Sequence, residues 1–158
     1  MQGSTVNLPT GSILQFDGGK ISNGTLNINN NVIYAPLTQI FETNVVFNGS
    51  FINPEIYVEW FGGLNDGVVN CTNSFTKAIS LKLPIKLNRG IYLISSTITL
   101  LDNSMSIKGS GIDETYIISD SLTGSVIRTQ GDANHISSLT ITSTDNRFNN
   151  GDASCYGF

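Results

Sequence analysis

Between Tyr57 and Gly111 the chain changes rhythm once. One short amphipathic segment gives way to short isoleucine-rich runs broken by Gly, Asn and Ser. Runs of three to five such residues are too short for helices and read as strands with a turn at each end. A lone helix followed by repeated strand and turn units constrains the fold strongly. It predicts an all-β solenoid of stacked coils, with the helix plugging one end of the core.

Composition agrees with that reading. Asn, Gly, Ser and Thr make up 67 of the 158 residues, and isoleucine contributes 19. β-branched runs between turn formers are what this mixture encodes. Only 13% of residues are charged, about half the usual share, so neutral polar side chains should cover the surface. The net charge is −4 and the basic residues are scattered, which argues against a nucleic acid partner. No apolar run approaches the ~18 residues of a membrane span, so no membrane insertion is expected. The first eleven residues lack the charged and apolar regions of a secretory leader. Cys71 and Cys155 are too few for a disulfide framework. The sequons at Asn23, Asn48 and Asn70 read as turns in a chain this rich in Asn and Thr.

Residues 12–56 alternate apolar runs with turns. Ile13–Phe16 precedes Asp17-Gly18-Gly19, and Thr25–Ile28 follows Asn23-Gly24. Val32–Tyr34, Ile40-Phe41 and Val45–Phe47 continue the series. Asn-Gly turns suit antiparallel hairpins, and equally the corners of parallel coils. Trp60-Phe61-Gly62 then reads as a hydrophobic plug at a junction, with a sugar-stacking platform as the sharper alternative. Residues 72–83 carry the predicted helix. Thr72 or Asn73 is its N-cap, Phe75, Ala78, Ile79 and Leu83 form one apolar stripe, and Pro84 stops it. Strands resume at Ile85–Leu87, Ile91–Ile94, Ile98–Leu100, Met105–Ile107, Thr115–Ile118, Val126–Arg128 and Leu139–Ile141. Their spacing suggests coils of 18–23 residues, matching Leu87 to Ile107, Leu100 to Ile118 and Ile118 to Ile141.

The segment from about residue 56 to 143 resembles the pectate-lyase-like superfamily of right-handed parallel β-helices. The resemblance rests on Glu59-Trp60-Phe61-Gly62, Asp66-Gly67-Val68 and the helix motif Phe75–Ile79. It extends to Gly90–Ile94 and to the rung Ser106–Gly111, which includes Gly109 and Gly111. Within that superfamily the chain looks most like phage tailspike and tail-fibre proteins of phages that infect Bacteroides-type hosts. The resemblance implies a right-handed parallel β-helix with one short capping α-helix, and a homotrimer of parallel subunits. Residues 1–56 would form an N-terminal β-rich segment, either an anchor or the first coils. Residues 57–158 would hold the capping helix and the first rungs, continuing in a longer parent protein. The fold itself says little about function.

Such folds carry their chemistry on clustered carboxylates, or on a base beside a bound cation. Glycan hydrolysis needs two facing carboxylates about 5–9.5 Å apart. Elimination needs a base and a cation beside the sugar acid. Asp145 and Asp152 flank an Asn- and Gly-rich stretch that reads as a long loop, with Arg147 between them. These are the candidate catalytic acids and the candidate ligand-binding residue, against the reading of a solvated loop. Asp113-Glu114 reads as a solvated corner, and His135 as structural or solvent-exposed. No metal-ligand spacing occurs, neither cysteine has an activating partner, and no cofactor is expected.

The resulting expectation is a structural component of a virion appendage, assembled in the host cytoplasm and released by lysis. It would attach to other virion proteins and take part in attachment to the host surface. Two alternatives stand beside it: the N-terminal part of a polysaccharide depolymerase, and a non-catalytic adhesin for a host surface glycan. An adhesin should expose aromatics on one face, whereas Phe16, Phe41, Phe47 and Tyr116 fall at strand positions expected to be buried.

Overall fold

Every strand pair in the computed structural model runs parallel, although the Asn-Gly turns alone would equally allow hairpins. The structure describes residues 3–120 and 125–144. The N-terminal part comprises β1 (Ser4–Asn7), β2 (Ile13–Gln15), β3 (Gly24–Tyr34) and β4 (Val45–Phe51). β3 is central: β1 and β2 pair along one side of it and β4 along the other. The separate runs expected at residues 25–28 and 32–34 are thus one strand.

Next come β5 (Ile56–Tyr57), a 3₁₀ turn at Val58–Phe61, β6 (Asp66–Asn70) and the helix α1 (Thr72–Ser80). The remaining strands are β7 (Ile85–Lys86), β8 (Gly90–Ile94), β9 (Ile98–Leu100), β10 (Ser106–Lys108) and β11 (Thr115–Ser119). β12 (Ile127–Thr129), β13 (His135–Ser137) and β14 (Thr140–Ser143) complete the described elements. They assort into three parallel sheets, ordered β13-β10-β7-β5, β14-β11-β8-β6 and β12-β9.

The registers correct the expected repeat. Ile107 pairs with Ile85 and Ile136, Ile117 with Tyr92 and Ile141, and Ile98 with Ile127. Leu100 therefore lies beside Thr129, not Ile118, and the offsets of these pairs run from 22 to 29 residues instead of 18–23, while those between β1, β2, β3 and β4 are 19–21. Spacing counted along the chain mixes strand and corner lengths, whereas pairing must keep like faces together, because a one-residue slip turns every side chain over.

Inward positions alternate along β8, β9 and β11, and the buried side chains feed one core. It extends from Phe16 through Ile40, Phe41, Ile56, Phe61, Phe75, Tyr92 and Ile107 to Val126. Isoleucines stacked on isoleucines suit this interior, since β-branched side chains pack well on a pleated surface. Fully burying each contributes about 1.5–3 kcal/mol.

Where the chain leaves the ladder, side-chain amides stand in for peptides. Asn53 is buried, its Oδ1 accepting from Ile33 N and its Nδ2 donating to Ile33 O, both at 2.8 Å. Asn31 is fully buried and donates to Pro9 O at 2.7 Å and Ser12 Oγ at 2.8 Å. Asn53→Ala would leave both Ile33 backbone groups without a partner. A loss of about 2–4 kcal/mol is expected, read as a lowered urea midpoint with unchanged slope.

The helix is shorter than the expected span 72–83. Cys71, not Thr72 or Asn73, is the N-cap, and no side chain caps the helix. The Thr72 hydroxyl accepts instead from Ser95 N at 3.0 Å, and Asn70 Oδ1 accepts from Thr72 N at 2.9 Å. At the other end Lys82 turns left-handed, with φ 56°, before Pro84 is reached. That corner recurs: Ser104 and Ala133, which stack on Lys82 by the register of β7, β10 and β13, have φ 58° and 57°. Phe75, Ala78 and Ile79 are buried as expected, while Leu83 is only half-buried. Nor does α1 lie over a free end. Phe75 meets Tyr92 of β8 edge-on at 6.0 Å, while Lys77 Nζ donates to Val45 O of β4 at 2.9 Å.

Candidate functional site

The aromatic junction and the polar cluster behind it hold the most constrained chemistry among the described residues. Trp60 is buried and its Nε1 donates to Pro36 O at 3.1 Å. Its carbonyl oxygen accepts from both Ile40 N and Phe41 N. Phe61 stacks on Phe41 with centroids 5.7 Å apart, and Phe41 meets Phe16 and Phe47 edge-on. Gly62 ends the turn at φ 85°, a left-handed position that suits glycine. A Trp60 ring so enclosed has no face open to a sugar.

The same turn carries Glu59 inward. Its Oε1 accepts from Tyr92 Oη at 2.6 Å and from Asn88 Nδ2 at 2.8 Å. The backbone N–H of Asn88 donates in turn to Tyr92 Oη at 2.9 Å. Oε2 is buried without a hydrogen-bond partner, and neither ion pair among the described residues involves Glu59. Burial, then the bond to this carboxylate, then its charge, push the Tyr92 hydroxyl above its ordinary range. Cys71 lies close enough to feel Glu59. Burial raises its thiol, and its Sγ contacts Leu64 O at 3.1 Å. Tyr57, donating to Glu55 Oε1 at 2.7 Å, is pushed up to about 12, first by burial and then by that bond.

These shifts share one sign. Each neutral acid is favoured in the folded state, so the stability they confer is complete below the unfolded pKa values, about 8.5 for cysteine and 10 for tyrosine. It is lost as pH climbs towards the raised folded values. Unfolding midpoints should stay level with respect to these groups up to about pH 8, decline from about pH 9 and fall faster above 10. Tyr92→Phe should flatten the decline above 10. A wild-type midpoint level through pH 11 would contradict this account.

Chemically, the cluster positions a junction. It contains one carboxylate, and its hydrogen bonds all serve side chains that close the core. Asp66 lies outside it, exposed, accepting from Val68 N at 2.8 Å and Val69 N at 2.9 Å. Those two N–H groups pull its carboxyl below the usual range. They also hold a bulge in β6 that carries Val68 outward, 77% exposed.

The candidate residues read from sequence separate cleanly. Asp145, Arg147 and Asp152 lie outside the described residues, as does Cys155. Asp113 and Glu114 form an exposed corner, with Asp113 left-handed at φ 65°. His135 is exposed at the start of β13. Among the described residues no group of three or more His, Cys, Asp or Glu side chains could hold a metal ion. No described helix is long and apolar enough to cross a membrane.

Gly109 and Gly111 differ in need. A Cβ on Gly109 would lie 2.1 Å from Ser138 O, so only glycine permits that approach, whereas at Gly111 it would meet only the Glu114 side chain, at 3.2 Å. Buried Thr115 secures the same segment, its hydroxyl accepting from Ser110 N and donating to Asn88 O.

Sequence reasoning missed Glu59 as a buried group and Tyr34 as an exposed one, and it misjudged Tyr116 and Phe47. Tyr116 faces outward and is only half-buried, with its hydroxyl towards Asp113. Phe47 is likewise only half-buried, although it packs against the core. Compared with family models, curated proteins and solved structures, the chain matches none.

Proposed function

We propose that the chain is a right-handed parallel β-helix of the pectate-lyase-like kind. In this reading it is the root of a tailspike- or tail-fibre-like virion appendage involved in attachment to a host surface. The observation that carries the reading is that every strand pair among the described residues is parallel, with Ile107 in register with Ile85 and Ile136, and Asn27 with Asn7 and Asn48. Continuous parallel ladders make a stiff rod, the mechanical property a shaft needs. Neutral polar side chains outnumber charged ones in its composition, as expected of a rod built to persist rather than to bind ions.

Packing against sister chains suits the outer side of the β14-β11-β8-β6 sheet. Val68, Val69 and Ile91 are exposed there, beside half-buried Leu93, Tyr116 and Ile118. Apolar groups gathered on one face mark association surfaces, and a homotrimer would cover them.

The test is the absolute mass of the purified 17.0 kDa chain by light scattering. Three chains per particle is the expected result, and a clean monomer overturns the trimeric appendage. Release of reducing or unsaturated sugars from a bacterial surface polysaccharide would instead assign the chain to the depolymerases. Glycan binding without turnover would assign it to the adhesins.

A further inference from the structure

On the N-terminal layers, Phe16, Asp17, Tyr34, Ala35 and Pro36 line an open depression of about 410 Å³. Tyr34 is 68% exposed, the one aromatic side chain among the described residues that stands mostly in solvent. Its register partner Gln15 donates from Nε2 to both carboxylate oxygens of Asp17, at 3.0 and 3.3 Å. That bond steadies the acid and occupies an amide donor. No cation among the described residues pairs with Asp17. The nearby Lys20 is spent on Glu42 at 2.7 Å, and the other ion pair is Lys82 with Asp102.

The depression therefore offers a steadied carboxylate, an exposed aromatic ring and an apolar rim, with no positive charge of its own. A planar guanidinium fits all three. It bonds a carboxylate through paired N–H groups, stacks on an aromatic face and lays its methylene stem on apolar surface. Lysine, a compact and strongly hydrated charge, uses the ring and the plane less well. The net charge of −4 adds a favourable field for a basic ligand. We propose that Asp17 and Tyr34 form a docking point for an arginine side chain of a partner polypeptide. This does not depend on the appendage reading.

The experiment is an NMR titration of the isotope-labelled full chain with the capped tripeptide Gly-Arg-Gly. Parallel titrations use Gly-Lys-Gly, Gly-citrulline-Gly and the neutral sugar maltohexaose. Saturable shifts confined to residues 15–18 and 34–36 are expected, with citrulline weaker by about tenfold because it keeps the plane and loses the charge. Asp17→Asn and Tyr34→Ala should each weaken binding about three- to tenfold. Both positions are exposed, and the unaltered remainder of the spectrum verifies the fold of each variant. Absent or unlocalised shifts, citrulline binding equal to arginine, saturation by maltohexaose instead, or unchanged binding in both variants would each overturn the proposal.

Discussion

Phe41→Ala is expected to lower the free energy of unfolding by about 3–5 kcal/mol, the cost of removing a buried phenylalanine and leaving its cavity. Phe41 is fully buried and lies among Phe16, Phe47 and Phe61, with centroids 5.0–5.7 Å away. Its backbone N–H donates to Trp60 O at 2.9 Å. The three rings come from the N-terminal layers and from the turn that leads to α1, so the cavity would open where those parts meet. Circular dichroism and Trp60 fluorescence should report one shared transition at a lower denaturant midpoint. If strand signal is lost while Trp60 stays in its native environment, Phe41 does not couple the two parts. A loss below 1 kcal/mol would show that the surrounding rings collapse into the space.

Glu59→Ala is expected to cost about 2–4 kcal/mol, although it removes a buried charged group. Two effects oppose each other. Truncation relieves the burial of Oε2, which has no hydrogen-bond partner. It also takes the acceptor from Tyr92 Oη and Asn88 Nδ2, and stranding donors in a closed core outweighs that relief. Glu59→Gln separates the two, because the amide oxygen still accepts both bonds while the charge is gone. Its stability should lie within about 1 kcal/mol of wild type. Tyr92→Phe alone should cost about 1–2 kcal/mol, and adding it to Glu59→Ala should cost less than the sum by a similar amount. Denaturant unfolding of the four chains closes this cycle, and strict additivity would refute the coupling.

Much of the strand inventory was legible because Gly, Asn and Pro punctuate β-branched runs at nearly every corner. The hidden elements have specific causes. Ser4–Asn7 holds one apolar residue, so β1 has no pattern of its own and owes its conformation to pairing with β3. The runs on either side of Asn29-Asn30-Asn31 looked like two strands. Asn31, buried and bonded to Pro9 and Ser12, instead carries one strand through a register shift. The helix ends early because Lys82 adopts the left-handed corner that Ser104 and Ala133 repeat, a tertiary regularity with no glycine to announce it.

The candidate site was less legible. Glu59 sits beside an aromatic pair and reads as part of an entry motif. Its significance comes from Tyr92, 33 residues away in sequence and 2.6 Å away in space. Tyr34 ends an apolar run yet points to solvent, because alternation along β3 buries Ile33 and turns its neighbour outward.

The sequence by itself determined that this chain would be built of short strands and one short helix, with isoleucine and phenylalanine inside and neutral polar corners outside. Propensity and turn chemistry are local properties, and they can be read residue by residue. Only the tertiary structure decided that the strands run parallel, which residue meets which, and that Glu59 faces Tyr92 while Tyr34 faces water. A period-two pattern is the same for parallel and antiparallel neighbours, and register is selected by contacts between residues 19 or more positions apart.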